Sequence, residues 1–296
     1  FRMPNSKIKK VSKIIKKASE ARSQKIKEYF IEKEKAAHGQ YALNKYSDNS
    51  IFTKEVLKTI AEICVEYRHL KKKITRKQWS DIIDRFTVNF TYESNAIEGN
   101  SLTLKDVTLL LKENIVPKGK DLREIYETKN TRVANQLLFE NKVKLTNESI
   151  IKIHSVLVRD TGINTGYKKM PNFLLMRNVK TTSPEKVETE MNSLLKWYDN
   201  NKEKIHPLKL GAEFHARFER IHPFEDGNGR VGRVLLNALL LGAGFPPIII
   251  RKTIRSAYFS ALEAFDNGYK GAFERFLIDK FKKTFHNFFK IYIKYI

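Results

Sequence analysis

The chain has little cysteine: Cys64 is its one thiol in 296 residues. That excludes an internal disulfide, leaves a cysteine-based metal centre without ligands, and makes a reducing, cytoplasmic setting the expectation. Long apolar runs are also missing. The nearest candidate, Val234 to Ile250, is broken by Asn237, Gly242, Gly244, Pro246 and Pro247. It reads as a core helix and a turn, so no membrane span is expected. No secretory signal pattern is visible, and the first residue is Phe1. Acid is scarce as well, with 33 Asp and Glu against 56 Lys and Arg, a formal net charge of +23.

The basic excess is concentrated early. Residues 1–80 hold 21 Lys and Arg against 8 Asp and Glu, in KIKK, KIIKK and the run KKKITRK at 71–77. Such clusters suit nucleic acid or an anionic membrane. Here, however, Lys outnumbers Arg, aromatics are sparse before Tyr29, and no nucleic-acid-binding motif is present. The excess therefore reads as a solvated helical face, and neither nucleic acid nor membrane is the expected partner.

At 41% apolar the chain has ample material for a core. Residues 6–37 read as an amphipathic helix with Ile8, Val11, Ile15 and Ala18 in one stripe. A polar linker follows over 38–50, then a helix from Thr53 to Lys71. From Trp79 a helical pattern through Ile82, Ile83, Phe86 and Phe90 ends at TYESNAIEGNSLT. Within it Ser94 and Glu98 are four apart on one face, and Gly99 is a suitable terminator. Three helical patterns follow, over Leu104–Glu113, Leu122–Asn141 and Thr146–Arg159. The run NFLLMRNV, amid Gly, Asn and Pro punctuation, is the one convincing strand signal. Another helix starts near Pro184, and the chain ends in a Phe- and Lys-rich helix from Ala272 to Ile296.

The most informative stretch is HPFEDGNGRVGR, from His222 to Arg233. An apolar-periodic segment precedes it, with Leu210, Phe214, Phe218 and Ile221 in register, and another follows from Val234, so it is a loop joining two buried helices. A helix N-terminus offers unpaired N–H groups and partial positive charge to anions. Gly227 and Gly229 let a phosphate approach the backbone. Arg230 and Arg233, three apart, project from one face with guanidinium forks suited to a di- or triphosphate. Asp226 is a hard oxygen donor of the kind through which Mg²⁺ enters phosphate sites. His222 is the group whose ordinary pKa suits proton abstraction near neutrality. His215, seven residues earlier, lacks a third ligand at suitable spacing and reads as a core histidine.

This string resembles the signature of the Fic family, HPFx(D/E)GNGRxxR, at His222, Pro223, Phe224, Asp226, Gly227, Asn228, Gly229, Arg230 and Arg233. SNAIEG, over Ser94, Glu98 and Gly99, resembles the family's inhibitory motif, (S/T)xxxE(G/N). The resemblance covers roughly residues 79–290. It implies a mainly α fold: a Fic-type helical bundle around a central motif loop, with a short β-hairpin flap and a helical N-terminal extension. The division is a basic region over 1–78 and a Fic domain over 79–296, with the inhibitory helix at about 80–100, the flap at about 171–182 and the motif at 222–233.

By the same resemblance the protein transfers AMP from ATP, with Mg²⁺, to a Ser, Thr or Tyr hydroxyl of a protein docked on the flap. His222 would take the hydroxyl proton and Asp226 hold Mg²⁺. Asn228, with the Gly227 and Gly229 amides, would stabilise charge on the α-phosphate, and Arg230 and Arg233 would hold the β- and γ-phosphates. Glu98 would pair with Arg233 and displace the γ-phosphate. Asn237, Tyr258, Phe259, Asp266 and Asn267 are candidate adenosine contacts, and Phe224 is expected to anchor the loop in the core. A family arginine often follows the glycine–aromatic pair before the flap; here Lys168 follows Gly166-Tyr167. A homodimer and self-modification are family-level expectations. Two rival readings remain: removal of AMP through a water oriented by Glu98, and a non-catalytic protein whose basic N-terminal helices grip nucleic acid or membrane.

Overall fold

The computed structural model describes residues 1–14, 23–46, 50–172 and 180–293. These divide into two compact units, Phe1–Ile74 with Phe289–Ile296, and Thr75–Phe288. The fold is mainly α, and among the described residues the β pairing is one isolated bridge between Arg2 and Ile8. None of the helices described is long and apolar enough to cross a membrane.

In the first unit, helix α1 (Gln24–Lys45) packs on α2 (Lys54–Lys73). Ser23 and Thr53 cap them, each accepting a hydrogen bond from a backbone N–H three residues on. The expected helix over 6–37 is corrected at its start. Residues 1–14 are not helical: Ser6 has φ 63° and the Arg2–Ile8 bridge closes the turn. Ile15 and Ala18 lie outside the described residues. The expected linker at 38–50 is also shorter, because α1 continues to Lys45 with His38, Gly39 and Ala42 buried. Gly39 packs against Lys58 of α2, where an added Cβ would make ordinary contact, 3.4 Å from Lys58 Cγ.

The second unit opens at α3 (Arg76–Ile97), where Thr75 and Gln78 form a reciprocal capping box. Helices α4 (Leu104–Lys112), α5 (Leu122–Phe139), α6 (Asn147–Leu157) and α7 (Val187–Asn201) follow. The centre is the pair α8 (Pro207–Ile221) and α9 (Asn228–Gly242). The stripe Leu210, Phe214, Phe218 and Ile221 is buried, as are Val231, Val234, Leu235 and Leu236 facing it from α9. Truncating a phenylalanine from such a core costs about 3–5 kcal/mol. Gly211 sets how closely the two helices approach: a Cβ there would lie 2.9 Å from Leu236 Cδ1. Helices α10 (Arg255–Asp266) and α11 (Lys270–Thr284) complete the unit. The C-terminal helix is shorter than expected, since one π-turn, Phe285–Phe289, separates α11 from a last short helix, Lys290–Ile293. The expected flap falls largely on residues 173–179, which lie outside the described residues.

Candidate active site

The loop between α8 and α9 is held by its own residues. His222 ends α8 in the left-handed conformation, φ 51° and ψ 60°, with its N–H on Phe218 O at 2.9 Å. A non-glycine residue there is sterically disfavoured, and such strain collects at functional sites. Gly227, at φ 80°, makes the second left-handed turn, which a side chain would oppose, and starts α9. Between these turns, Phe224 N donates to Asn228 Oδ1 at 2.9 Å and Asn228 Nδ2 donates to Phe224 O at 2.8 Å. Phe224 is buried and lies flat on His154, with centroids 3.8 Å apart and planes at 2°. His154 Nε2 lies 3.1 Å from Asp226 O. Phe224 therefore anchors the loop, and Asn228 closes it.

His222 Nδ1 lies 3.3 Å from Glu219 O. A carbonyl can only accept, so that contact puts the ring proton on Nδ1 and leaves Nε2 with the lone pair a base requires. His215 lies behind the loop, buried, with Nε2 2.7 Å from Tyr258 Oη. It is a core histidine. Among the described residues no cluster of three or more His, Cys, Asp and Glu has the geometry of a metal cage.

Asp226 is 39% exposed at its side chain and is the acidic group of the loop nearest α9. Its Oδ1 accepts from Gly227 N, and its Oδ2 pairs with Arg123 at the start of α5. Arg230 is buried between two carboxylates, with Nη1 3.3 Å from Glu127 Oε1 and Nη2 3.6 Å from Asp226 Oδ1. Arg233 is buried against the end of α3. Its Nε donates to Ser94 Oγ at 2.9 Å, and its Nη2 donates to Ser94 O at 2.9 Å and Glu98 Oε1 at 2.7 Å. Burial pulls the Arg233 pKa down, but Glu98, Tyr258 and Glu219 together, Glu98 foremost, outweigh it and hold the pKa above its ordinary value.

The Glu98 carboxylate also lies over Gly229. A Cβ on Gly229 would meet Glu98 Oε1 directly and lie 2.9 Å from Arg233 Nη1. Nη1 of Arg233 is buried without a hydrogen-bond partner among the described residues. A helix N-terminus, a glycine without Cβ and a buried guanidinium thus form an anion seat, and a carboxylate of the chain itself occupies it.

Other candidates take different places. Asn237 is buried two turns into α9, with its amide clasping the backbone of Ile248 in both directions at 3.0 and 2.8 Å. Tyr258 is buried with its hydroxyl on His215, and burial pushes its pKa far up. In this arrangement the Asn237 amide is tied to Ile248 and the Tyr258 ring is enclosed. Asp266 and Asn267 end α10. Lys168 bridges the ends of the segment expected as flap. Its Nζ donates to Asn172 Oδ1 at 2.6 Å and Thr181 Oγ1 at 3.2 Å, and its backbone N donates to Pro223 O at 2.9 Å. Arg123, Glu127 and Asn100 are the polar residues of this region that sequence reasoning did not single out.

Residues 144–240 match the Fic/DOC family. A protein adenylyltransferase Fic of Nematostella vectensis is 34% identical over 192 residues, 63% of this chain and 45% of the relative. The Drosophila melanogaster protein of that name is 30% identical over 197 residues, 65% of this chain and 40% of its own length. The chain thus spans less than half the length of these curated relatives. Among solved structures, a Fic-domain-containing signaling protein of Bacteroides thetaiotaomicron is 28% identical, with a TM-score of 0.69 over 77% of this chain and 94% of that one. Fic-1 of C. elegans shares the fold at 23% identity and a TM-score of 0.70, over 80% of this chain and 71% of that one.

Proposed function

Because residues 144–240 match the Fic/DOC family, we propose that the protein moves AMP from ATP to a protein hydroxyl and is restrained by Glu98. The supporting observation is the Glu98 carboxylate on Arg233 Nη2 at 2.7 Å, over the N-terminus of α9. A nucleotide's terminal phosphate needs the same guanidinium and the same helix end. Two anions cannot share them, so Glu98 must leave before ATP is seated for transfer.

In the released state His222 Nε2 takes the proton of a Ser, Thr or Tyr hydroxyl. That oxygen forms a bond to the α-phosphorus as the bond from the α-phosphorus to the bridging oxygen breaks, and pyrophosphate carries away the electron pair. The Gly229 amide and the remaining N–H of Asn228 face developing charge on the α-phosphate, while the Gly227 N–H holds Asp226 Oδ1. Arg230 and Arg233 hold the β- and γ-phosphates in line. Asp226 is the residue that would hold Mg²⁺. One exposed carboxylate suits that ion, which takes its other positions from phosphate oxygens and water. Bound there, Mg²⁺ would offset charge on the departing pyrophosphate. Asn172, whose Nδ2 donates to Phe224 O at 2.8 Å, ties the start of the expected flap to the motif loop, where a target would dock.

A second reading has its own observation. Glu98 Oε2 makes no hydrogen bond among the described residues, and the side chain is 35% exposed, so it has room to orient a water toward an AMP-bearing side chain. The reaction would then be removal of AMP. One experiment separates the two readings. Wild type, Glu98→Gly and Glu98→Gly/His222→Ala are incubated with Mg²⁺ and with ATP labelled at the α- or γ-phosphate. Label on protein from the α position alone, strongest in Glu98→Gly and absent from the double variant, is the expected result. If Glu98→Gly raises no transfer yet abolishes release of AMP from a modified protein, removal is the activity.

A further inference from the structure

Helix α5 carries a polar stripe at helical spacing, Glu124, Glu127, Thr128 and Thr131, and each member meets the turn that ends α3. Glu124 accepts from the backbone N–H and the hydroxyl of Ser101. Glu127 Oε2 accepts from Asn100 Nδ2 at 3.1 Å. Thr131 Oγ1 donates to Asn95 Oδ1 at 3.0 Å, and Thr128 Oγ1 accepts from Asn95 Nδ2 at 3.4 Å. The stripe hangs the segment bearing Glu98 on α5, side chain by side chain. Glu127 alone also reaches the motif loop, through Oε1 at 3.3 Å from Arg230 Nη1.

We infer that Glu127 is a positioning residue for Arg230, and that Asn100 couples it to the turn carrying Glu98, so that segment 98–100 governs both motif arginines. The inference rests on the reading that Arg230 holds nucleotide phosphate. Three features support it. The Arg230 guanidinium is 2% exposed and Glu127 is 13% exposed, so the pair is shielded from water, where losing one partner leaves a charge stranded. The other anion near Arg230, Asp226, is farther away at 3.6 Å and already pairs with Arg123; when it holds a cation, Glu127 is the group left to fix the guanidinium. Finally, Nε and Nη1 of Arg230 form no aligned hydrogen bond. The contact with Glu127 is therefore electrostatic, orienting the guanidinium while leaving its N–H donors for phosphate oxygens. Arg123 Nε shares Glu127 Oε1, at 3.3 Å, while Asn100 holds Oε2.

The test is nucleotide binding by calorimetry to the full chain in the Glu98→Gly background, with ATP and AMP as probes. Arg230 faces phosphates that AMP lacks. Glu127→Ala should weaken ATP by about tenfold or more and change AMP by no more than about twofold. Glu127→Gln keeps the shape but lacks the charge that orients Arg230, and its amide can accept at one end only, so it should weaken ATP in the same direction as Glu127→Ala. Asn100→Ala, which removes the holder of Glu127 together with its contacts to Glu124 O and Leu102 N, should weaken ATP in the same direction and provides the result if Glu127→Ala fails to fold. Equal losses for ATP and AMP, or no loss, overturn the inference by reducing Glu127 to a structural ion pair. Tighter ATP binding by Glu127→Gln overturns it too, since Glu127 would then compete with phosphate. If ATP binds neither the Glu98→Gly parent nor any variant, the nucleotide reading itself falls.

Discussion

Glu98 Oε1 lies 2.7 Å from Arg233 Nη2 and over Gly229, in the first turn of α9. One side chain therefore engages both components of an anion seat, the guanidinium and the helix end. Ser94, one turn earlier on α3, holds the same arginine through its hydroxyl and its carbonyl. Arg233 is thus shared between two helices, and what the site binds depends on which anion faces it.

Gly229→Ala separates the seat from the pair. Gly229 is helical, so a methyl group brings no backbone penalty, but it falls where Glu98 Oε1 now lies and 2.9 Å from Arg233 Nη1. The carboxylate must move off. Stability should drop by about 1–3 kcal/mol, because a buried charged donor loses its partner. Unlike Glu98→Gly, this variant should gain no ATP affinity, since the methyl group also obstructs phosphate. Denaturant unfolding and ATP calorimetry on both variants check this. Equal ATP gains in the two would show that the space over Gly229 is not the seat.

Lys168 makes stability depend on pH in a definite direction. Burial lowers its pKa from 10.5 to about 8. The unfolded chain then binds more protons than the folded one between about pH 8 and 10.5, so this contribution grows as pH rises through that window and is lost as pH falls through 8. Its full size is about 3 kcal/mol. Lys168→Arg stays protonated throughout and should lack the rise. Unfolding free energies at pH 7.5 and 10 for the two proteins give the comparison, and parallel pH dependence would place the Lys168 amine in water.

The motif loop was legible because its chemistry is consecutive in the chain. Twelve residues carry base, acid, glycines and arginines, and the flanking stripes Leu210–Ile221 and Val234 onward declare buried helices. The Ser94–Glu98 spacing was legible for a similar reason: one helical turn places both on one face. The stripe on α5 was not. Glu124, Glu127, Thr128 and Thr131 follow the 3.6-residue period, but a polar stripe on a helix reads as solvated surface until its partners at 95–101 are known. The partner of Asn237 was not legible either: its amide closes a contact with Ile248, eleven residues on. The helix expected over 6–37 failed at its start because periodicity in Ile8 and Val11 carries no record of the turn at Ser6.

Arg123 should act as a competitor for the cation expected at Asp226. Its Nη2 pairs with Asp226 Oδ2, the carboxylate oxygen turned away from the Gly227 amide. The two side chains are 46% and 39% exposed, so the pair is a surface one, with a net worth of about 0.2–1 kcal/mol. A divalent cation entering at Asp226 must displace that guanidinium. Arg123→Ala should therefore tighten Mn²⁺ binding, titrated in the presence of ADP, by up to about fivefold, the factor to which the upper end of that energy corresponds. Because the competing pair is exposed, the gain should shrink toward none at high salt. Asp226→Asn should bind Mn²⁺ weakly whether or not Arg123 is present, since the carboxylate is the chain's own donor to the ion. Weaker Mn²⁺ binding by Arg123→Ala would reverse the assignment. Arg123 would then hold Asp226 in place for the cation, or contact the diphosphate itself.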